Sequence, residues 1–466
     1  MPLILGTNSI KDTGFDVANS LRFNRGSSDN LTRSTGTATN NDKATVSFWL
    51  KRSGSSSQGI IAEDTNGSNK FAFILNSNQK IELIQETGGS TEFNLITTRV
   101  FRDNSAWYHI VLAYDSTQGT ASNRIKVYVN GVQETAFDTG TYPSSNVDFR
   151  FNKNSITQQI GSYENTAFME GYLSEFVFID GQQLAPDQFG EFDSDSGIWK
   201  PIDVSGLTFG TRGFYLDFES SGSLGADVSG NGNNFTVNNL TSIDQSTDTC
   251  TNNFATYNSI FGQGRQDLLT YAEGNLSVTS SHTTGSDTTS TSTFAFDSGK
   301  WYAEFKLTSS ADGVYVGVAT SNLNFTNSGI DTSGNSNCWI TRGDDGTVRN
   351  NGSTAYFGTS FSNNDIIQIA IDMDNSKIWW GLNGTYGNSG NPSTGSNPAY
   401  SNLSGELMII VGDNYSDRTP TILANFGSPP YSISSGNTDG NGYGNFEYAV
   451  PNGYYSLNSK NLAEYG

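Results

Sequence analysis

The run Trp107-Tyr108-His109-Ile110-Val111-Leu112 leads through a polar stretch to Arg124-Ile125-Lys126-Val127-Tyr128-Val129-Asn130-Gly131. The second run alternates apolar and polar residues, a period of two that sends successive side chains to opposite faces of a strand. Asn130-Gly131 then supplies the positive φ of a tight hairpin. Working outward, Thr45-Val46-Ser47-Phe48-Trp49-Leu50 follows the same period. Phe48, Leu50, Ile110, Leu112, Val127 and Val129 are therefore expected to face inward from two packed sheets. Asp180-Gly181, Asp345-Gly346, Asn351-Gly352 and Asn383-Gly384 punctuate further strand-like runs, and no long amphipathic helix interrupts them. Hairpins at such short intervals predict an all-β chain of antiparallel sandwiches.

At 466 residues the chain is long enough for two or three domains. Only 15% of residues are charged and 51 are Gly, so the polar surface is built mostly from Ser, Thr, Asn and Gly. The net charge of −21 opposes both DNA binding by counterion release and docking on an anionic membrane. No stretch reaches the ~20 apolar residues that span a bilayer. MPLILG at the start lacks a basic flank or cleavage-like continuation, so no signal peptide is expected. Cys250 and Cys338 are the only cysteines and exclude a disulfide framework or a thiolate metal cluster.

Composition shifts at Ser220–Asn253, rich in Gly, Asn, Ser and Thr, and again at Gly427–Gly444. These shifts predict a sandwich over 1–219, a connecting segment over 220–262 open to proteolysis, a second sandwich over 263–430 and a packed tail over 431–466. The Ser/Thr-rich stretch 277–293 is expected to be a loop. His109 lies within a strand pattern and is expected to pack rather than catalyse, and His282 sits in the Ser/Thr stretch. With only these two histidines, a His-rich zinc site or a His-based triad finds no support. Asp64, Asn66 and Asn69 place oxygen ligands along one turn and are the candidates for calcium, the sole cofactor considered. The competing reading is a polar hairpin turn. Asp227-Val228-Ser229-Gly230-Asn231-Gly232-Asn233-Asn234 resembles a D-x-SGNGN segment found at the start of many laminin-G-like domains, the competing reading being a tight glycine turn.

In the first half, SLRF, ATVSFWLKRSG, AWYHIVLAYDSTQGTASNRIKVYVNG and QIGSYENTAFMEGYLSEFVFIDGQQL occur in order. This series resembles the laminin-G/pentraxin type of concanavalin A-like sandwich over about residues 18–190. In the second half, GKWYAEFKLTSS, DGVYVGVATSN, CWITRGDDGTVRNNGS, NNDIIQIAIDMDNSKIWWGLNGTYG and ELMIIVGDNYSDRTPTILANFG follow one another. That series is similar to the SPRY domain. Asn364 replaces the glycine the family places before Asp365, and the Asn/Ser/Gly/Pro stretch from Tyr386 to Asn402 lengthens a loop. The fold expected is thus two concanavalin A-like/jelly-roll antiparallel sandwiches in tandem.

A SPRY resemblance implies a non-catalytic recognition platform with loops on one rim. Trp339, Asp344, Asn383, Tyr386 and Tyr400 are the candidate ligand-binding residues, since aromatic faces beside amide and carboxylate groups suit sugar rings or apolar side chains. Trp379 and Trp380 must fall on opposite faces, so at least one belongs to a core. Arg342 and Arg349 flank the Asp344-Asp345-Gly346 turn and are expected to form local ion pairs.

The joint GFYLDFE…ADVSGNGNNFTVNNLTSIDQSTDTCTNNFATYN, the preceding DGQQLAPDQFGEFDSDSGIWKP and the closing FEYAVPNGYYSLNSKNL resemble a multi-sandwich architecture of tailed-bacteriophage virion proteins. The resemblance implies a virion surface protein such as a tail fibre, tip or capsid-attached fibre, assembled in the host cytoplasm. It would bind a host-surface glycan or receptor without catalysis, as a homo-oligomer, a trimer being favoured, among other virion subunits. An architectural virion component is the alternative. A glycan depolymerase is the third reading, weakened because the paired-carboxylate strand of concanavalin-type glycosidases is absent.

Overall fold

The computed structural model describes residues 13–466 apart from 65, 265, 282–286, 310–311, 322–329, 331–334, 357 and 416–417; the side chains of 64, 262–264, 266 and 356 also lie outside the description. His282 is thus beyond the described residues. Two compact units emerge, Thr13–Thr251 and Asn252–Gly466.

In the first unit one sheet runs Val132–Gln133, Ile125–Val129, Trp107–Asp115, Lys43–Arg52, Gly171–Asp180, Ser20–Phe23, Gln245–Ser246, with Phe214–Leu216 added to Gly171–Asp180. The facing sheet runs Phe137–Thr141, Ser90–Thr97, Ile81–Thr87, Lys70–Leu75, Gln58–Asp64, Thr157–Ile160, Asn30–Ser34, Thr236–Asn238. Phe48, Leu50, Ile110, Leu112, Val127 and Val129 all lie in the core between them, but from one sheet and not from two: their strands Lys43–Arg52, Trp107–Asp115 and Ile125–Val129 are neighbours in the first sheet. Phe48 meets Phe73 of the opposite sheet edge-on at 5.4 Å and stacks on Phe176 at 5.2 Å. Each fully buried side chain of this size is worth about 1.5–3 kcal/mol.

The outer face of the first sheet is covered too. Val111, Val177 and Ile179 pack beneath Phe189, Val204 and Phe209, while Trp49, Trp107 and Tyr172 lie under Trp199 and Cys250. Gly171–Asp180 is in consequence buried at every position. A bulge lets this strand pass Lys43–Arg52: the register shifts between Ser174 and Val177, and Glu175 takes a left-handed φ of 49°.

The stretch expected to connect two sandwiches belongs largely to the first. Thr236–Asn238 and Gln245–Ser246 are paired strands, and Arg33 reaches the Asn233 carbonyl at 3.2 Å from between the Phe214 and Phe235 rings. Asp248 accepts from Lys51 Nζ at 2.6 Å and from Trp107 Nε1 at 3.1 Å. The composition is Gly- and Asn-rich because these residues make turns and hydrogen-bond backbone, which reads as a linker but builds a packed wall. Residues beyond Thr251 are committed to the second unit: Asn253 N donates to Ser459 Oγ at 2.9 Å and Ala255 N to the Leu457 carbonyl at 3.0 Å. Proteolytic nicking across 220–262 is accordingly not expected at its buried part, Asp248 to Thr249 and Thr251 to Thr256.

The second unit is again two sheets. One runs Tyr257–Gly264, Thr288–Phe296, Leu407–Asp413, Val314–Thr320, Cys338–Arg342, Thr347–Asn350, Ser353–Tyr356. The other runs Leu269–Ala272, Ser277–Ser280, Thr421–Asn425, Lys300–Ser309, Ile366–Asp372, Lys377–Leu382, Thr385–Tyr386. Thr288–Phe296 corrects the expected loop: TTSTSTFAF is a strand buried throughout. Its hydroxyls are absorbed locally, Thr288 Oγ1 donating to the Asp413 carbonyl at 3.3 Å and Ser292 Oγ to the Phe294 carbonyl at 2.6 Å.

The tail closes the outer face of the second sheet. Tyr455–Ser456 pairs in parallel with Lys300–Ser309, and Phe446 and Tyr454 pack on Tyr302, Ala370 and Trp379. Asp439 Oδ2 accepts from Ser456 N, Ser456 Oγ and Asn461 Nδ2 at 2.9, 2.6 and 2.8 Å. Helix Ser459–Tyr465 is capped by Asn458, whose side chain accepts from Asn461 N at 2.9 Å.

Candidate binding cleft of the second sandwich

His109 is an internal post of the first sandwich. Trp199 Nε1 donates to its Nδ1 at 3.0 Å, and its Nε2 lies 2.8 Å from Ser47 Oγ. An indole N–H only donates, so Nδ1 is unprotonated and Nε2–H points at Ser47. A serine that receives this proton is not activated as a nucleophile. Burial lowers the imidazole pKa to about 3. The unfolded chain, with a histidine pKa of about 6.5, binds a proton that the native ring refuses. The contribution of His109 to stability is full above pH ~6.5 and falls by about 1.4 kcal/mol per unit as the pH drops toward 3. In carbon or nitrogen resonance titrations, identified by comparison with His109→Gln, the native ring should stay in the neutral Nε2–H form down to about pH 4. Titration near pH 6 would remove this assignment.

At the proposed calcium turn, Asn66 Oδ1 accepts from Asn69 Nδ2 at 2.9 Å and Asn69 Oδ1 accepts from Gly88 N at 3.1 Å. The two carboxamides thus act as turn formers, and the Asp64 side chain lies outside the described residues. No group of three or more His, Cys, Asp or Glu in metal-holding range occurs among the described residues. Asp227 likewise ties its own turn, accepting from Tyr215 N, Ser229 N and Asn233 N at 3.0, 2.9 and 2.7 Å.

The five residues expected at one rim separate. Trp339 is 1% exposed in the core and donates its indole N–H to Asn402 Oδ1 at 3.0 Å, so it offers no face to a ligand. Asp344 is held by Arg342 through Nε–Oδ1 and Nη2–Oδ2 contacts of 3.1 Å each, and Arg349 pairs with Asp345 at 2.8 Å. Asn383 is a turn residue at φ 47°, its Oδ1 accepting from Ile366 N and its Nδ2 donating to Asp365. Tyr400 sets its ring edge-on to Trp380 at 6.5 Å, and burial pushes its hydroxyl up to about 12. The Tyr386 ring packs with the tail cluster of Tyr302, Phe446 and Tyr454.

Trp379 and Trp380 do fall on opposite faces, and both are buried, at 0% and 3% exposure. Trp379 lies under the tail, Trp380 between the sheets. Beside Trp380 opens a cleft of about 360 Å³, within the ~300–1,000 Å³ of small-ligand sites. Both sheets line it: Thr341 comes from Cys338–Arg342, and Trp380 and Leu382 come from Lys377–Leu382. The turn before Phe361 and the segment Thr385–Ser389 complete the wall, the latter bringing in Tyr386. Of the five candidates only Tyr386 borders this cleft. Thr341, Phe361, Leu382 and Thr385 were not legible as a site, because the residues come from two hairpins and the connection between the sheets, and only the packing of the sheets assembles them.

Two carboxyls stand out by their environment. Glu175 in the first unit is lifted to about 7 by burial, with Tyr215 Oη 2.5 Å from its Oε2; Asp413 in the second unit is lifted to about 7, also by burial. Neither lines the cleft.

A family model described as the concanavalin A-like lectin/glucanases superfamily, Laminin_G_3, matches residues 25–187, and one for the SPRY domain matches residues 300–407. Among solved structures, the SPRY domain of human HERC1 matches with 19% identity over 36% of this chain and 96% of its own, at a TM-score of 0.30. A human SPRY domain matches with 12% identity over 37% of this chain and 100% of its own, at 0.27. The heptameric SAP-like pentraxin from Limulus polyphemus matches with 17% identity over 37% of this chain and 81% of its own, at 0.26. None of the curated proteins matches the sequence significantly.

Proposed function

From a chain that carries a concanavalin A-like domain and a SPRY domain in tandem, we propose a non-catalytic adhesion protein of a tailed-phage virion surface, a tail fibre, tip or capsid-attached fibre, that binds a host-surface glycan or receptor. The observation that carries binding over catalysis is the composition of the cleft. Among the described residues its wall is made of Thr, Ser, Asn, Gly and aromatic or aliphatic residues, with no Asp, Glu, His, Lys, Arg or Cys. Glycoside hydrolysis needs two carboxyl groups about 5–10 Å apart across the bond, and this wall offers none. Aromatic area beside hydroxyl and amide groups is what holds a sugar by stacking and hydrogen bonding.

Purified chain added in excess should slow adsorption of particles to host cells several-fold, and an antibody against it should label particle surfaces. Absence of labelling sinks the virion assignment; normal adsorption under saturating protein sinks the adhesive role. The architectural reading draws on a different feature: Val132, Phe192 and Ile198 are 53%, 54% and 38% exposed, and Phe192 stands edge-on to Trp199 at 4.8 Å. Charge placed at Phe192 would then block particle assembly rather than adsorption.

A further inference from the structure

Lys51 sits where lysines are rarely found, on the covered outer face of the first sheet. It stands directly opposite Trp107 on one neighbouring strand and Tyr172 on the other, its Nζ 5.6 Å from the centre of the Tyr172 ring. Trp49, Trp199 and Cys250 pack with those two aromatics. The Nζ meets Asp248 Oδ2 at 2.6 Å, and both side chains are 1% exposed. The lysines paired with Asp115 and Asp372 are by contrast partly open to solvent. Asp248 is fixed elsewhere as well: Oδ1 accepts from Trp107 Nε1 at 3.1 Å, its N–H donates to Ser246 Oγ at 3.1 Å and its carbonyl accepts from Ser20 Oγ at 2.6 Å. An amine and a carboxyl held in this way meet at an effective concentration that free groups do not reach.

We propose that Lys51 and Asp248 condense into an intramolecular amide, a covalent staple across the first sandwich. The step needs no oxidant or reductant. A proton passes from Nζ to Oδ2 across their contact, and the neutral amine attacks Cγ while negative charge gathers on Oδ1. Trp107 Nε1–H already donates to that oxygen and holds the charge as it develops. The nitrogen then gives a second proton to Oδ2, the Cγ–Oδ2 bond breaks, and water leaves as the carbonyl re-forms. Burial presses the Lys51 ammonium toward the neutral amine, the form that attacks. Condensation also removes a pair of charges that are costly to keep from water. The bond would join residues 197 apart in sequence, linking strand Lys43–Arg52 to the chain just beyond Gln245–Ser246, at the far edge of the same sheet. It does not depend on the adhesin reading. Replacing Asp248 by Ala strands Lys51 whether the parent holds the pair as a salt or as an amide, so the stability of that variant does not decide between them.

The mass of the chain does. The full-length protein is purified, denatured, weighed by electrospray mass spectrometry and then digested with trypsin. The parent should be lighter than its sequence by one water, and its digest should contain a branched peptide that carries both Lys51 and Asp248. That peptide identifies the bond without recourse to any variant. Lys51→Arg keeps the positive charge but offers no amine, and should show the full mass of its sequence. A parent at full sequence mass overturns the proposal. A water loss that persists in Lys51→Arg, or that maps elsewhere, such as to an aspartyl imide at Asp180-Gly181 or Asp345-Gly346, overturns it too.

Discussion

Replacing Asp248 by Ala is expected to destabilise the first sandwich by about 3–5 kcal/mol, the cost of stranding one partner of a buried ion pair. Lys51 Nζ and Asp248 Oδ2 meet at 2.6 Å with both side chains 1% exposed, and Trp107 Nε1 donates to the other carboxylate oxygen at 3.1 Å. Burial pulls the Lys51 ammonium down from its ordinary range while Asp248 pushes it back up. Without that carboxylate burial is opposed only by the smaller influence of Asp103, so an ammonium and an indole N–H remain buried with their shared acceptor gone. The same residue anchors chain geometry, because its carbonyl accepts from Ser20 Oγ at 2.6 Å. Denaturant unfolding of the first sandwich, followed by tryptophan fluorescence, reads the loss. The Lys51→Met/Asp248→Leu double variant should recover part of it, since two apolar groups need no partner, with the Trp107 donor still orphaned. A single variant that unfolds within about 1 kcal/mol of the parent would show that the pair carries no such weight.

Glu304→Ala should release the C-terminal tail from the second sandwich. The Glu304 carboxylate is fully buried and accepts from Tyr302 Oη, Asn425 Nδ2, Glu447 N and Tyr448 N at 2.9, 3.3, 2.9 and 2.8 Å. Burial raises its pKa and these donors pull it back, burial prevailing. Two of the four donors are tail backbone, so the substitution strands N–H groups of the segment that covers Trp379. Hydrogen bonds to a charged group are worth about 1.5–3 kcal/mol each when lost singly, and the summed loss should exceed 3 kcal/mol, roughly two such bonds. Limited proteolysis should cut the variant near residues 445–450 at a rate the parent does not show, and hydrogen exchange should quicken at Tyr455–Ser456. Glu304→Gln, which keeps acceptor oxygen but adds a donor, should fall between. An uncut tail in Glu304→Ala would mean that Phe446 and Tyr454 hold it by packing alone.

The cleft shows how far residue-by-residue reading reaches. Trp380 could be placed on the face opposite Trp379 from alternation alone, since a strand has only two faces. That Trp380 borders a cavity, and that its N–H alone among the four indoles of the second sandwich has no partner among the described residues, depends on which oxygen each indole finds. Trp379 finds the Ser396 carbonyl, 17 residues away, and Trp339 finds Asn402, 63 residues away. Those distances in sequence carry no local signal. Trp339 and Tyr400 read as rim aromatics because turns flank them, and the fold turned both inward because apolar area is buried wherever a neighbouring strand can cover it.

Sequence by itself determined the alternating strands and their turns, though not the Ser/Thr strand Thr288–Phe296, because the period of two and the Asn-Gly and Asp-Gly hairpins are properties of adjacent residues; the two sandwich types came from the resemblance of the motif series to known families. It likewise determined the six inward residues from Phe48 to Val129, all of which lie in the core. Tertiary structure alone decided what covers the outer faces. Strand Gly171–Asp180 is buried on both sides because the segment after Leu184 folds back over it, and Trp379 is buried because the tail returns to it. It also decided that Ser220–Thr251 is wall rather than linker. Gly, Asn and Ser favour turns in either setting, and only long-range partners such as Lys51, Trp107 and Arg33 distinguish a packed turn from a free one.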